Sequence, residues 1–350
     1  MSKLFILGNG FDLASGLHTK YKDFREWFMK NHELDYDELD RIVEEESFIE
    51  LEIPESFIDH HGEVIYDEEV LGKFFYTVVS SANVDDIEWN QFEANLSKLP
   101  FYAFKDEYIY WNEKPFSVEN EGENDEEEDE KFKWAYMAEQ TGNNLADAFV
   151  EAVNHYFTKW IREVDRKAMP DTVQRIVCDY RAESRFLTFN YTGLLEKFYR
   201  IPAAQICHIH GNAGTGDKII VGHGEKMNDK DGTGAEDNFN PFDINDYVKN
   251  AKYMLKKPVE RIISTHREFF DGLGNLDEIF VIGWGLDEPD FVDAPYLQKV
   301  AEYADDNTIL YFDAYNKSKL PLFMKTCFHN GYRGRYGLMI PSTGEKWVIL

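Results

Sequence analysis

The chain has few cysteines, few basic residues and no long hydrophobic run, and each shortage excludes a class of protein. Its 350 residues include only Cys178, Cys207 and Cys327, without a Cys-x-x-Cys pair, so the sequence provides neither a disulfide framework nor a four-cysteine zinc site. No run approaches the roughly 18 apolar residues of a membrane span, and the apolar opening is interrupted at Gly8 and Asp12 before a signal sequence could form. We therefore expect a cytoplasmic protein that does not enter the membrane.

Basic residues are outnumbered, since 37 Lys and Arg stand against 66 Asp and Glu, for a formal net charge of −29. Proteins bind nucleic acid and anionic lipid largely through Lys and Arg, so we expect direct contact with neither. The acidity is local, because residues 33–69 hold 16 acidic side chains against Arg41 alone, and residues 119–130 hold nine acidic side chains and no base. The remaining sequence has the modest charge of an ordinary enzyme.

Short apolar runs near both ends of the chain predict the buried parallel strands of one sheet. Hydrophobic residues make up 43% of the chain, which is enough for a large core. The runs occupy residues 4–7, 185–189, 205–209, 219–221, 279–282 and 308–312. Residues 21–181 have mainly helical spacing, apart from an acidic loop at about 112–131. We predict a single α/β domain with a doubly wound, Rossmann-like, mainly parallel sheet, made by residues 1–20 and 182–350 and interrupted by this helical insertion after the first strand.

Ligands of such sheets bind at the carboxyl ends of the strands, and four segments there carry candidate site residues. The first segment is the turn Gly8-Asn9-Gly10-Phe11-Asp12, with Gly16 beyond it. A glycine turn between a strand and a helix lets backbone N–H groups approach a phosphate. The alternative is a tight turn that binds nothing, because both the third glycine of the dinucleotide motif and the ending of a P-loop are missing.

The second segment is Leu187-Thr188-Phe189-Asn190-Tyr191-Thr192, where a predicted strand ends on polar residues. Asn190 offers a carbonyl acceptor and an amide donor, which suits a ribose hydroxyl or a water molecule. The alternative is that Asn190 or Thr192 caps the following helix.

The third segment is His208-Ile209-His210-Gly211. In a strand the two histidines would lie on one face, and His210, at the end of that strand, is the better candidate for a general base. The alternative for His208 is a buried structural histidine. A rival interpretation is a metal site, which would add the side chains of His223, His266 and Asp287.

The fourth segment is the glycine turn at Gly283, which is followed by Asp287, Pro289 and Asp290. Here a buried strand again ends in a glycine turn with acidic residues just beyond it. Asp287 and Asp290 either contact a ligand or cap and charge the N-terminus of a helix that Pro289 would begin.

Several of these segments resemble the bacteriophage abortive infection AbiH family. The opening from Gly8 to Leu17 matches its GNGFDLA-x-G-L motif, and a continuation through Tyr21 and Phe24 follows. The remaining marks recur in order as Trp89 with Glu93, the F-N-Y-T stretch at 189–192, H-I-H-G at 208–211, G-H-G at 222–224, and a late I-G segment followed by D-x-x-Y. The resemblance extends from residue 4 to about residue 297 and implies a role in antiphage defence.

A more distant similarity is to the sirtuin-like NAD-binding domains of bacterial antiphage systems. The residues that fall on that pattern are Gly8, Gly10, Gly16, Thr188, Asn190, His210, Gly211, Gly283, Pro289 and Asp290. In that family the asparagine of the T-x-N segment and the histidine of the His-Gly pair cleave the bond between nicotinamide and ribose. The similarity implies a sirtuin-like fold, NAD as substrate or ligand, and catalysis by Asn190 and His210.

The chain departs from that pattern at three points. Trp284-Gly285 stands where these domains usually have His-Ser or Tyr-Ser, so one hydroxyl contact is missing. Asp12 stands where sirtuins carry serine, and it would repel a phosphate unless it faces a ribose or holds a water molecule. The four-cysteine zinc ribbon of the protein deacylases is absent, so we do not expect deacylation.

Together these residues predict an antiphage abortive-infection protein that hydrolyses NAD or a related nucleotide. Its expected partners are that small molecule, a phage-derived trigger and further copies of the chain, the last two through the helical insertion. One alternative is a metal-dependent hydrolase or nuclease that uses His208, His210, His223 and Asp287. The others are a nucleotide sensor without turnover and an interaction protein whose acidic charge is its function.

Overall fold

The computed structural model describes residues 2–31, 96, 147, 150–224, 252–285 and 292–349. The chain divides into two compact units, one made of residues 1–24, 158–220 and 257–350 and the other of residues 25–157 and 221–256. The sheet and all the residues of the candidate site described below belong to the first unit. The acidic segments, Trp89, Glu93, Asp287, Pro289 and Asp290 lie outside the described residues.

The described residues form one seven-stranded sheet in the order β3-β2-β1-β4-β5-β6-β7. The strands are β1 Lys3–Leu7, β2 Ser184–Thr188, β3 Ile206–His208, β4 Leu276–Ile282, β5 Ala304–Asp313, β6 Arg335–Ile340 and β7 Glu345–Val348. The first six pair in parallel, and β7 pairs with β6 in the antiparallel direction. The protein is therefore an α/β protein with a mixed, mostly parallel sheet.

The central strands are buried on both faces, which explains their uninterrupted apolar sequences. In β1, Leu4 and Ile6 belong to one hydrophobic core and Phe5 and Leu7 to another, as the alternation of side chains along a strand requires. On the second face, the rings of Phe186, Phe5, Phe280 and Tyr311 stack across four neighbouring strands, with centroids 4.7–5.2 Å apart. This aromatic row ties β2, β1, β4 and β5 together.

Helices cover both faces of the sheet. The helices in the described part of the chain are α1 Asn9–Ala14, α2 Tyr21–Asn31, α3 at 150–167, α4 Arg175–Tyr180, α5 Leu194–Lys197, α6 Val259–Thr265, α7 Arg267–Asp271, α8 Ala294–Ala301 and α9 Leu320–His329. Helices α6 to α9 contribute to the core that contains Leu4, whereas α1, α4 and α5 contribute to the core that contains Phe5. None of the described helices combines the length and the hydrophobicity that crossing a membrane requires.

Five of the predicted strands are confirmed, and one is wrong. The apolar run at 219–221 is an irregular segment, held by a hydrogen bond from the Ile220 N–H to the His210 carbonyl, with N···O 3.0 Å. Three apolar residues can be buried in a loop as well as in a strand. The sequence also failed to indicate β6, which contains Gly337, and β7, most of whose side chains are exposed.

We expect the substitution Phe5→Ala to lower the free energy of unfolding by about 3–5 kcal/mol, because it removes a fully buried ring from the middle of the aromatic row. Urea denaturation would measure the change. The matched control is Tyr315→Ala, which removes an aromatic side chain that is 92% exposed and should change stability by about 0.5 kcal/mol or less. Equal effects of the two substitutions would contradict the proposed packing.

Candidate functional site

The turns that follow β1 and β4 are packed backbone against backbone. The Gly8 N–H donates to the Ile282 carbonyl and the Gly10 N–H to the Gly283 carbonyl, with N···O distances of 3.0 and 2.9 Å. A side chain would not fit, since a Cβ at Gly8 would lie 2.5 Å from the Gly283 oxygen and one at Gly10 2.6 Å from the Gly283 Cα. Gly283 also has a positive φ of 64°. These three glycines thus have a packing role, and the N–H groups of Gly8 and Gly10 are already bonded within the protein.

Three further residues of the first segment shape the turn around α1. Both polar atoms of the Asn9 amide are bonded to Thr19, Nδ2 to its carbonyl at 3.0 Å and Oδ1 to its hydroxyl at 2.6 Å. Gly16 follows the end of α1 with a φ of 88°, as is common where a helix terminates. Phe11 is buried in the hydrophobic core beside Tyr199. A role for these three residues in cofactor binding stays a prediction.

Asp12 points inward, toward the segment that follows β2. It is 2% exposed, its Oδ1 accepts a hydrogen bond from Asn190 Nδ2, and its Oδ2 accepts one from Thr192 Oγ1, both at 2.8 Å. Burial raises the pKa of the Asp12 carboxyl to about 7, although the two hydrogen bonds and the charge of His208 oppose the rise. Asp12 therefore holds Asn190 and Thr192.

Asn190 is fixed at its backbone and at one side of its amide. Its N–H donates to Thr188 Oγ1 at 3.1 Å, its carbonyl oxygen lies 3.3 Å from His208 Nδ1, and its Nδ2 donates to Asp12. Its Oδ1 is buried and has no hydrogen-bond partner among the residues that the structure describes. A buried acceptor left in this state costs about 1–3 kcal/mol, so Asn190 presents an acceptor that is ready for a donor from outside the protein.

His210 carries a second acceptor of the same kind. The residue is 2% exposed, its ring lies among Phe189, Tyr191 and Tyr296, and it is hydrogen bonded to the Phe189 backbone. Burial, followed by the nearby positive charge of Lys257, holds the pKa of His210 well below its usual range. The imidazole is therefore neutral.

The Nε2 atom of His210 has no hydrogen-bond partner in the described part of the chain, and it lies 3.9 Å from Asp293 Oδ1. By elimination, Nδ1 makes the bond to the Phe189 backbone and carries the proton, so Nε2 is an acceptor. A neutral imidazole with a free lone pair beside a carboxyl group can take up a proton, as a general base does.

His208 lies in a different set of contacts from His210. Its Nε2 is 2.9 Å from Glu196 Oε1, and Asn212 Nδ2 donates to the same oxygen at 2.9 Å. Burial raises the pKa of Glu196, but the hydrogen bond to His208 and the charge of that ring outweigh it and lower the pKa overall. The expectation that both histidines share a strand face was wrong, because β3 ends at His208 and the chain turns before His210.

Sequence reasoning missed Glu196, Asn212 and Asp293. Glu196 is the one acidic residue of the short helix that follows Thr192, and Asn212 comes directly after Gly211. Both positions lie within four residues of a recognised motif, which is a usable signal. Asp293 begins the D-x-x-Y mark of the family, which is also a usable signal, although nothing in that mark points to His210.

The described residues contain no group of three or more His, Cys, Asp or Glu side chains arranged to hold a metal ion. The ring nitrogens of His208 lie beside Asn190 and Glu196, and His223 Nε2 lies 2.7 Å from the Lys252 carbonyl. Asp287, the carboxylate of the rival metal site, lies outside the described residues, as does Asp290. Because the rival site includes Asp287, the metal-dependent alternative stays a prediction.

The fold and the site define an α/β protein with a buried polar site at the carboxyl ends of adjacent parallel strands. The family model described as "Bacteriophage abortive infection AbiH" matches residues 4–313, which include all of the site residues above. The chain therefore belongs to the AbiH family, as its motifs predicted, and this membership supports a role in abortive infection directed against bacteriophage. Comparison with curated proteins and with solved structures gives no significant match.

We expect Asp12 to make stability fall as pH rises from about 4 to about 7. Its pKa in the folded protein, about 7, is above the usual aspartate value of 3.8 that holds in the unfolded chain, so between these values the folded state binds the extra proton. The stabilisation is complete below the unfolded pKa and is lost as pH rises through the folded pKa, with a slope of at most about 1.4 kcal/mol per pH unit.

Urea denaturation of the unmodified protein and of Asp12→Asn at several pH values would measure this effect. The stability of the unmodified protein minus that of Asp12→Asn should decrease from pH 4 to pH 7 and then level off. Asp306→Asn, which alters an exposed carboxyl, is the control and should show no such trend. A difference that is independent of pH would contradict the raised pKa.

Proposed function

We propose that this protein binds NAD or a related nucleotide at the site around Asn190 and His210 and hydrolyses the bond between nicotinamide and ribose. The observation that carries the proposal is the pair of buried acceptors, Asn190 Oδ1 and His210 Nε2, neither of which has a partner among the described residues. They lie just beyond β2 and β3, two strands that are hydrogen bonded to each other. Two acceptors so placed suit a ligand rich in hydroxyl donors, such as a ribose.

The strand order supports a dinucleotide as that ligand. The first six strands follow the order 3-2-1-4-5-6, which is the order of doubly wound, Rossmann-like folds that bind dinucleotides. In those folds the ligand occupies the crevice where the strand order reverses, beside β1. Asp12 and Asn190 lie at this end of β1 and β2, joined by their hydrogen bond. The sirtuin-like pattern of T-x-N and His-Gly favours NAD within this class.

The proposed reaction needs one proton transfer and accurate positioning. Asn190 Oδ1 would accept a hydrogen bond from a ribose hydroxyl or from the attacking water. Water adds to the anomeric carbon as nicotinamide leaves with the bonding electron pair, and His210 Nε2 takes the proton that the water or a ribose hydroxyl releases. Asp293, 3.9 Å away, would stabilise the imidazolium that forms.

The phosphates must be held by groups other than the first two glycine N–H groups. The Gly8 and Gly10 N–H groups are bonded to the turn after β4, and the Asp12 carboxyl is directed at Asn190 and Thr192. The Trp284-Gly285 pair, which lacks the hydroxyl contact of the sirtuin-like domains, favours a second candidate function, a sensor that binds a nucleotide without turnover. The two functions differ in whether nicotinamide is released.

We expect the purified protein to release nicotinamide from NAD, and Asn190→Ala and His210→Gln to lower the rate by at least about 100-fold each. Chromatography of nicotinamide and ADP-ribose would measure the reaction, and circular dichroism would verify folding. His18→Gln, which changes a histidine that is 89% exposed, is the control and should be fully active. A chelating agent should leave the rate unchanged.

Three outcomes would contradict the proposal. Binding of NAD without release of nicotinamide would favour the sensor. Full activity of His210→Gln would show that His210 is not the base, and loss of activity on chelation would favour a metal-dependent hydrolase.

A further inference from the structure

Asp12 has two hydrogen-bond partners in the described structure, and both follow β2. The side chain of Asn190 donates to one carboxyl oxygen and the hydroxyl of Thr192 donates to the other, while the carboxyl group itself is almost completely buried. The backbone of Asn190 is held separately, through Thr188 and His208. Contacts to the backbone leave the rotation of the Asn190 amide undetermined, so the Asp12 contact decides it.

The two ends of an asparagine amide have nearly the same shape, and the surrounding hydrogen bonds determine which end points where. Asp12 Oδ1 can accept a hydrogen bond from the amide nitrogen of Asn190, but as an acceptor it disfavours the amide oxygen. A rotation of 180° would place Asn190 Oδ1 against Asp12 Oδ1 and would direct two N–H donors toward the site.

We propose that Asp12 is a positioning residue for the reaction proposed above, which fixes the Asn190 amide with its nitrogen bound to the protein and its oxygen presented to the ligand. This inference rests on the proposed function. Asp12 acts through Asn190 and need not touch the substrate. The proposal also explains the buried carboxyl group beside Asn190. That group would repel a phosphate, so it needs a role other than phosphate binding.

The positioning depends on the shape of the carboxyl group and not on its charge. When Asp12 is ionised, Oδ2 accepts the Thr192 hydroxyl hydrogen. When Oδ2 is protonated, it donates to the Thr192 oxygen, and Oδ1 still accepts from Asn190. An asparagine at position 12 can do the same, because its Oδ1 accepts from Asn190 and its Nδ2 donates to Thr192.

Charged and titratable groups around Asp12 must be separated from this effect. The charge of His208 lowers the pKa of Asp12 and that of Asp165 raises it, while the charge of Asp12 in turn contributes to the raised pKa of Tyr199. Asp165 is itself bonded to Lys197 and to the Gly193 N–H. A substitution that removes the charge and keeps the hydrogen bonds therefore distinguishes positioning from electrostatics.

The first test compares the kinetics of three variants of the full-length chain. Asp12→Asn should retain kcat within about 3-fold, whereas Asp12→Leu, which has the same branching but forms no hydrogen bonds, should lose about 100-fold in kcat with a smaller change in KM. Thr192→Val, which removes the other partner of Asp12, should lose less than about 10-fold. Full activity of Asp12→Leu would overturn the proposal, and so would equal losses in Asp12→Asn and Asp12→Leu.

The second test does not depend on turnover. The side-chain amide signals of Asn190, identified by their loss in Asn190→Ala, can be followed by ¹⁵N NMR in protein labelled at asparagine. The Asn190 signals should keep their chemical shifts in Asp12→Asn, where the new asparagine adds signals of its own. In Asp12→Leu they should shift, and the amide protons should exchange faster with solvent. If Asp12→Leu does not fold, Asp12→Ser provides the comparison, because its hydroxyl is too short to reach Asn190.

The two tests separate the two proposals. Absence of nicotinamide release by the unmodified protein would refute the proposed function, while the NMR comparison would still decide whether Asp12 orients Asn190. Unchanged Asn190 amide signals in Asp12→Leu or Asp12→Ser would overturn the positioning role even if NAD is cleaved.

Discussion

The backbone contact between the turns after β1 and β4 is the constraint on which the site depends. Two hydrogen bonds from Gly8 and Gly10 join these turns, and a side chain at Gly8, Gly10 or Gly283 would overlap with the opposite backbone. Backbone atoms in contact cannot adjust as side chains do, so the contact fixes where α1 begins. Because α1 carries Asp12, and Asp12 is hydrogen bonded to Asn190 and Thr192 after β2, the three glycines determine where these polar groups lie.

The sequence predicts strands β1 to β5 but not β6 and β7, for a physical reason. Strands β1, β2 and β4 lie between two cores, which accounts for the apolar runs within them, at 4–7, 186–187 and 279–282. At the other end of the sheet, β7 has one neighbouring strand among the described residues and mostly exposed side chains, and Gly337 in β6 gives the Tyr311 ring the space that a Cβ would fill. β7 thus has the exposed pattern of a loop, and Gly337 interrupts the apolar pattern of β6. Conversely, the apolar run at 219–221 is largely buried but is not a strand, because burial alone does not make a segment a strand.

The position of the site could be predicted from the sequence, but the partners within it could not. Parallel strands place their carboxyl ends at one edge, so Asn190 and His210 could be assigned to that edge from the polar residues that follow each strand. Which atoms meet there depends on strand register and on helix direction. The Asp12 side chain is bonded to Asn190, and Asp293, just before a helix that follows β4, lies 3.9 Å from His210. Such contacts between distant segments are not encoded in any local pattern.

The hydrogen bonds of two asparagines indicate which parts of this region are structural. Asn9 has both ends of its amide bonded to Thr19, so its stabilising contacts are complete without a ligand. Asn190 has its nitrogen bonded to Asp12 and its buried oxygen without a partner in the described residues, and His210 Nε2 is in the same state. Each of these acceptors makes the folded protein less stable, and an apolar side chain of similar size would avoid that cost. Retaining two such acceptors beyond adjacent strands makes physical sense if a ligand supplies the missing donors, as strained or unsatisfied groups commonly do at functional sites.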